Sequence, residues 1–191
     1  MFGAVSTLDA PLSAEAQAFL AQIAPKIQAG LEAISQVPVS VLVWGPGIES
    51  LHPLAPVRAE VRAALREAGH LAMYSEELVD PNLPHSVRVQ QFVQARAFDL
   101  IVSIPGTPGS IGEVHDFASN AVVSSKMLVF LNAEHTDGYS SKSLVALTTV
   151  HTCNVVFYPS YADTGTIVEC SLEQAQRMRE IKYMYGWRNP Q

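Results

Sequence analysis

Charge is scarce in this chain: Asp, Glu, Lys and Arg make up 16% of its 191 residues, and no basic cluster occurs anywhere. Electrostatic binding to nucleic acid or to an anionic membrane surface requires such clusters, so neither is expected as a partner. Cysteine is almost absent too, with Cys153 and Cys170 the only two. They can pair or stay free, but two cysteines make no disulfide framework, and a chain of this length buries a core without covalent staples. No apolar run is long and pure enough to cross a bilayer. Residues 1–13 hold neither a basic segment nor a long apolar one, so a cytoplasmic location with reduced thiols is expected. No internal repeat or low-complexity tract is present. His52, His70, His85, His115, His135 and His151 show no His-x-x-x-His or His-Glu-x-x-His spacing, so neither a metal nor a resident cofactor is expected.

What the chain does have is apolar patterning. Hydrophobic residues reach 48%, and 18 acidic against 12 basic residues leave a net charge of −6. This length suits one folded domain. After an irregular lead over residues 1–12, apolar residues recur with helical spacing at Ala16, Phe19, Leu20, Ile23, Ile27, Leu31 and Ile34. Pro25 inside that pattern is expected to kink the helix or split it. Beyond Val37-Pro38, apolar runs at 39–44, 70–74, 98–104, 126–131 and 154–158 read as strands. Periodic segments at 57–68, 86–97 (with Val89, Phe92, Val93 and Ala97), 111–124, 144–152 and 172–183 read as helices, the first closed by Gly69. Continuous apolar strands alternating with helices imply an α/β, Rossmann-like open and mainly parallel sheet with helices on both faces. Residues 1–37 then form a helical extension and 38–191 the α/β domain. The extension's apolar stripe must be covered, and Tyr183, Tyr185 and Trp187 make either core or a subunit interface. A homodimer or higher homo-oligomer is the expectation.

Ligands of open parallel sheets sit outside the carboxyl ends of the strands. Three such ends carry chemistry here. Gly45-Pro46-Gly47 is a loop of small residues that lets a ligand approach the backbone. Ser75-Glu76-Glu77 places two carboxylates just past a strand, and reads equally as a solvated turn. The third is Pro105-Gly106-Thr107-Pro108-Gly109-Ser110-Ile111-Gly112-Glu113. Its glycines permit close approach, and Thr107, Ser110 and the helix-start amides make a natural phosphate cradle. Glu113 falls in the expected first helical turn, beside that cradle. A carboxylate there can stabilise an oxocarbenium-like sugar or attack the anomeric carbon. The plainer reading is a glycine turn with an ordinary first-turn Glu. Tyr139 is a candidate to stack on a base or close the pocket. Ser140 to Ser143 read as a helix start, with Lys142 alternatively within reach of a phosphate, and His115 lies near the ligand or on the surface.

The segment from Phe98 to Glu113 resembles the Pro-Gly-Gly-x-Gly-Thr-x-x-Glu signature of the lysine-decarboxylase-like, or LOG, proteins, which cleave the base–ribose bond of cytokinin nucleoside monophosphates. Gly106, Gly109 and Glu113 match, Thr107 stands for the second Gly, and Ser110 stands for the Thr. Leu131-Asn132 and Asp137-Gly138-Tyr139 are similar to that family's Leu-Asn…Gly-Tyr stretch. Where the family carries an Arg-Lys pair on the preceding helix, this chain has Gln90-Gln91, and Tyr74-Ser75-Glu76-Glu77 stands where the family has a second glycine-rich loop. The stretch Val61 to His70, leading into a strand and Glu-Glu, looks closer to nucleoside 2-deoxyribosyltransferase-like and TIR-like proteins. In those, a helix-borne Glu serves as glycosidic nucleophile or stabiliser.

The resemblance implies a divergent member of this Rossmannoid superfamily whose 38–191 domain binds a nucleotide or nucleoside. The expected activity is that of an N-glycosidase or glycosyltransferase on a nucleoside, nucleotide or NAD-like substrate, with Glu113 catalytic. Gly106, Thr107, Gly109, Ser110 and Gly112 would hold phosphate, and Gly45, Pro46, Gly47 and Glu76 would line the sugar or base. The alternative is a non-catalytic nucleotide-sensing module of the same fold.

Overall fold

The computed structural model describes residues 12–148 and 152–186. It divides into two units, Met1–Gln36 and Val37–Gln191. The first holds α1 (Ala14–Ser35), capped by Ser13, whose hydroxyl accepts the Ala16 N–H at 3.2 Å. The expected split at Pro25 does not occur: the helix runs through it. None of its residues is buried, so water can take the carbonyl that the proline leaves without a donor. Of the irregular lead expected over residues 1–12, only Leu12 is described.

The second unit contains one sheet of five strands: β1 (Ser40–Trp44), β2 (Leu71–Tyr74), β3 (Leu100–Ser103), β4 (Met127–Asn132) and β5 (Asn154–Tyr158). The spatial order is β2-β1-β3-β4-β5, and every neighbouring pair is parallel. The helices are α2 (Leu54–Glu67), α3 (Val87–Ala97), α4 (Pro108–Ala118), α5 (Ala121–Ser124), α6 (Tyr139–Thr148) and α7 (Gly165–Tyr185). Side chains alternate along each strand, so β1 sends Val41 and Val43 to one face and Leu42 and Trp44 to the other. Val57, Val61 and Leu65 of α2 and Ile167, Ala175 and Met178 of α7 cover the first face. Ala95 of α3, Val114 and Phe117 of α4, Val123 of α5 and Leu144 of α6 cover the second. The sheet is therefore doubly wound, with helices on both faces, in the flavodoxin-like order. From β1 the chain winds to one edge, and from β3 to the other. The loops leaving β1 and β3 consequently part, and a crevice opens between them.

Several helix bounds differ from the sequence reading. The helix expected over 111–124 is two helices, and it starts earlier. Thr107 caps α4, its Oγ1 accepting the Ser110 N–H at 3.3 Å, and Pro108 occupies the first helical position, where its missing N–H costs nothing. Asn120 caps α5 by accepting the Val122 and Val123 amides. α6 begins at Tyr139 and α7 at Gly165. The expected extension of α6 over residues 149–151 lies outside the described residues, as does Trp187. Tyr183 and Tyr185 are 44% and 75% exposed, so they are not core: α7 docks through residues nearer its start.

Only part of the apolar stripe of α3 faces inward, Phe92 packing on Phe117 at 6.2 Å between ring centres. Val89 and Val93 are exposed, while Gln90, Gln91 and Gln94 are buried beside Ala95. Gln90 holds the preceding loop, accepting the Asp80 N–H at 2.9 Å and donating to the Asp80 and His85 carbonyls at 3.0 and 3.1 Å. Amide side chains turn inward here because buried polar groups on the loop and on α4 need partners.

At the opposite end of the sheet, Arg179 of α7 donates to the carbonyls of Val37 and Ala68 at 3.0 and 2.7 Å, and Lys182 to Asp99 at 2.6 Å. Beside them His70 Nδ1 accepts the Val39 N–H at 3.3 Å. Burial and then the charges of Arg179 and Lys182 push its imidazole down to about 4. Both cysteines are free, and burial raises the Cys153 thiol to about 11, so it is an inert apolar side chain.

A His neutral in the folded protein but ordinary in the unfolded chain stabilises the fold above its unfolded pKa, and that stability is lost as pH falls from there toward the folded value. The urea midpoint of the wild-type protein should therefore drop between about pH 6.5 and pH 4 by more than that of His70→Asn. Equal pH slopes for the two proteins would show that His70 stays solvated.

A candidate site at the switch point between β1 and β3

The crevice at the switch point is organised by an arginine. Arg58 lies on the apolar side of α2, at a position flanked by Leu54, Val61 and Leu65, and is 1% exposed. Its Nη2 and Nε donate to the Val43 carbonyl at 2.7 and 3.3 Å, and its Nη1 to the Pro46 carbonyl at 3.0 Å. The same guanidinium forms a bidentate pair with Glu76, at 2.6 and 2.7 Å, and lies 4.3 Å from the Tyr74 ring centre. The paired geometry suits Arg and not Lys. Glu76 thus sits in a short 3-10 turn (Ser75–Leu78) past β2, locked to the end of β1. Burial alone would raise its carboxyl, but the hydrogen bonds and charge of Arg58 outweigh it and hold Glu76 below the ordinary range.

Gly45 is needed for this packing. A Cβ there would come within 3.0 Å of the Ile104 carbonyl oxygen and 3.1 Å of Arg58 Cδ. Gly106 has a different neighbour: the His52 ring lies where its Cβ would be. His52 is itself fixed, with Nδ1 accepting the Leu54 N–H at 3.2 Å and its ring 5.8 Å from that of Tyr161. Cβ atoms at Gly47, Gly109 and Gly112 would meet nothing, and none of 106, 109 and 112 has positive φ. Gly47, Gly109 and Gly112 border open space and are not demanded by the backbone.

Glu113 is the sixth residue of α4, in its second turn and not its first. It is half-buried, and its Oε1 accepts a hydrogen bond from Gln91 Nε2 at 2.7 Å. Gln91 stands at the place noted above for its difference from an Arg-Lys pair. Burial pushes the Glu113 carboxyl up, the Gln91 hydrogen bond and the Arg58 charge oppose this, and Glu76 adds to it; the outcome is a raised pKa. Two carboxylates in one crevice are therefore shifted in opposite directions, Glu113 up and Glu76 down. Nearby on the same face of the sheet, Trp44 Nε1, Ser103 Oγ and Gln94 Nε2 are buried with no hydrogen-bond partner. Trp44 and Ser103 are register neighbours on β1 and β3, and Gln94 lies one turn from Gln91.

The loop read as a phosphate cradle is closed on itself. Gly106 N–H and Thr107 N–H both donate to Ser110 Oγ at 3.0 Å, and Ser110 Oγ lies 3.0 Å from Thr107 Oγ1. An incoming phosphate would have to displace that hydroxyl. Arg58 is the cation of the crevice, and Glu76 already neutralises it. Lys142 pairs instead with Asp137 at 3.2 Å, on the surface.

Tyr139 lies elsewhere. With Pro105, Gly106 and Ile111 it borders a second pocket of about 300 Å³ beyond the ends of β3, β4 and β5. The structure thus brings Gly45, Pro46, Glu76 and Glu113 together, and sets Gly106 between the two spaces. His115 is half-buried, and its Nε2 lacks a partner. Sequence reasoning missed Arg58, Gln91 and His52 as site residues. Only Arg58 left a signal, an arginine in step with an apolar helical stripe.

No protein-family model matches the chain, and no curated protein matches it. Among the described residues, no group of three His, Cys, Asp or Glu side chains is placed to hold a metal ion, and no helix is long and apolar enough to cross a membrane.

A carboxyl with a raised folded pKa leaves the folded state unpenalised at low pH and penalises it once pH passes the unfolded value. Glu113→Gln keeps the acceptor for Gln91 and removes that penalty. Its melting temperature should match wild type near pH 4 and equal or exceed it at pH 7, because the Gln side chain carries no charge to desolvate. A variant markedly less stable at pH 7 would make Glu113 a structural residue.

Proposed function

We propose that this protein cleaves or transfers the N-glycosidic bond of a nucleoside-type substrate bound in the switch-point crevice, with Glu113 as the reacting carboxylate. The observation that carries this reading is the half-buried carboxylate of Glu113, positioned by Gln91 and poorly solvated. A carboxylate in that state is raised in energy in the free protein. Positive charge developing on a sugar beside it relieves that cost, so the interaction strengthens toward the transition state. The bond between the anomeric carbon and the base nitrogen breaks, the electron pair leaves with the base, and the base takes a proton from water. Glu113 either bonds to the anomeric carbon or stabilises the cation until water or a second base attacks it. Glu76 is tied to Arg58 on both oxygens, so its role is to hold the end of β2 and the Gly45-Pro46 loop in place.

The likeness of the Pro105–Glu113 segment to LOG proteins, and of the earlier helix to deoxyribosyltransferase-like and TIR-like proteins, supports the same chemistry. Among the substrates those likenesses admit, the closed hydrogen bonding around Ser110 and the net negative crevice favour an unphosphorylated nucleoside. Gln90-Gln91 in place of the Arg-Lys pair of the LOG proteins is the observation that favours the second reading, a sensor that binds its ligand without turnover.

Incubation of the protein with nucleosides, nucleoside monophosphates and NAD, followed by chromatography, should release free base from a nucleoside. Glu113→Gln should lower that release at least about a thousandfold while the protein remains folded. Activity should rise with pH through a carboxyl titration displaced above the ordinary Glu value. Full turnover by Glu113→Gln would overturn the mechanism, and ligand-induced stabilisation without released base would favour the sensor.

A further inference from the structure

From the pocket beyond β3, β4 and β5 we infer a second ligand site, one that takes an uncharged planar heteroaromatic ring. It does not depend on what Glu113 does, and Glu113 does not line it. At about 300 Å³ the pocket is at the small end of ligand sites. Its floor is aliphatic, formed by Ile111, Leu131 and Leu144. Its rim is aromatic: Tyr139, Tyr161 and His135 stand around the opening, with Tyr158 buried behind them.

Two properties select the ligand. First, among the described residues no Asp, Glu, Lys or Arg lines the pocket, so a charged group inside it would lose hydration, and the Glu134 carboxylate held by Asn132 at its edge disfavours an anion. Polar contacts come from Asn132 and Ser141, both buried, and from His135. Asn132 uses Oδ1 to accept the Glu134 N–H at 2.8 Å and one amide hydrogen to reach Glu134 Oε2 at 3.1 Å. Its second amide hydrogen can serve a ring nitrogen or carbonyl. Second, the aromatic walls are held rigidly. The Tyr161 ring centre is 5.8 Å from His52, 6.4 Å from His135 and 6.3 Å from Tyr158. A ring braced on three sides offers a fixed stacking surface, which favours a flat partner over an aliphatic one. Tyr139, 85% exposed, supplies the free aromatic face at the opening and can be changed without touching the core.

Titration calorimetry of the full chain with adenine, nicotinamide, cyclohexanecarboxamide and adenosine 5′-monophosphate tests this. Adenine or nicotinamide should bind saturably, and cyclohexanecarboxamide should bind at least tenfold more weakly. Tyr139→Ala should weaken ring binding at least tenfold, whereas Tyr139→Phe and Glu113→Gln should leave it unchanged. Adenosine 5′-monophosphate should bind no more tightly than adenine, and tighter binding of the nucleotide would overturn the assignment of an uncharged ligand. No saturable binding of either ring, equal binding of cyclohexanecarboxamide, or affinity unmoved by Tyr139→Ala would overturn the proposal. Glycosidic turnover can fail while this binding persists, and the reverse, so the two readings fall separately.

Discussion

The buried guanidinium of Arg58 is the constraint on which the candidate site depends. It comes from α2, yet it closes the end of β1 through Val43, holds the following loop through Pro46, and anchors the turn past β2 through Glu76. The end of β1 with its loop, α2 and the turn past β2 are registered by one side chain. A buried cation is tolerated there because each direction of its planar fork meets an acceptor and its face lies on Tyr74. An apolar residue of similar size would remove the Arg58 donors from the Val43 and Pro46 carbonyls and from Glu76.

That arrangement separates the two carboxylates by role. Glu76 is fully engaged by an arginine, and its negative charge is held. Glu113 has one amide partner and incomplete solvation, so its charge is costly until something positive approaches. Environment shifts two chemically identical groups in opposite directions. The same physics makes an anionic ligand unattractive in this crevice, where the glycine-rich loop hydrogen-bonds to itself.

Much of the fold was legible in the sequence. Continuous apolar strands alternating with helices could only become a parallel sheet covered on both faces, and all five strands lie within a residue or two of the runs that mark them. Helix starts were less legible, because the caps that set them at Thr107 and Asn120 are short polar residues that resemble loop. The face that α3 buries was legible only in part. Phe92 of its apolar stripe packs inward on Phe117, but Val89 and Val93 do not, because the neighbouring loop and α4 present polar groups that Gln90 and Gln91 satisfy.

The same division holds for the site. Sequence alone determined that Glu113 follows a glycine-rich loop at the end of a buried strand, because residue type and local spacing are written in the chain. Tertiary structure decided that Gln91 meets it, that Arg58 neutralises Glu76, that Ser110 closes the supposed cradle, and that Tyr139 belongs to another pocket. The Ser110 closure is a capping contact over three to four residues, but the others join elements separated by many residues. Their pairing depends on strand order and helix rotation, which local periodicity does not encode.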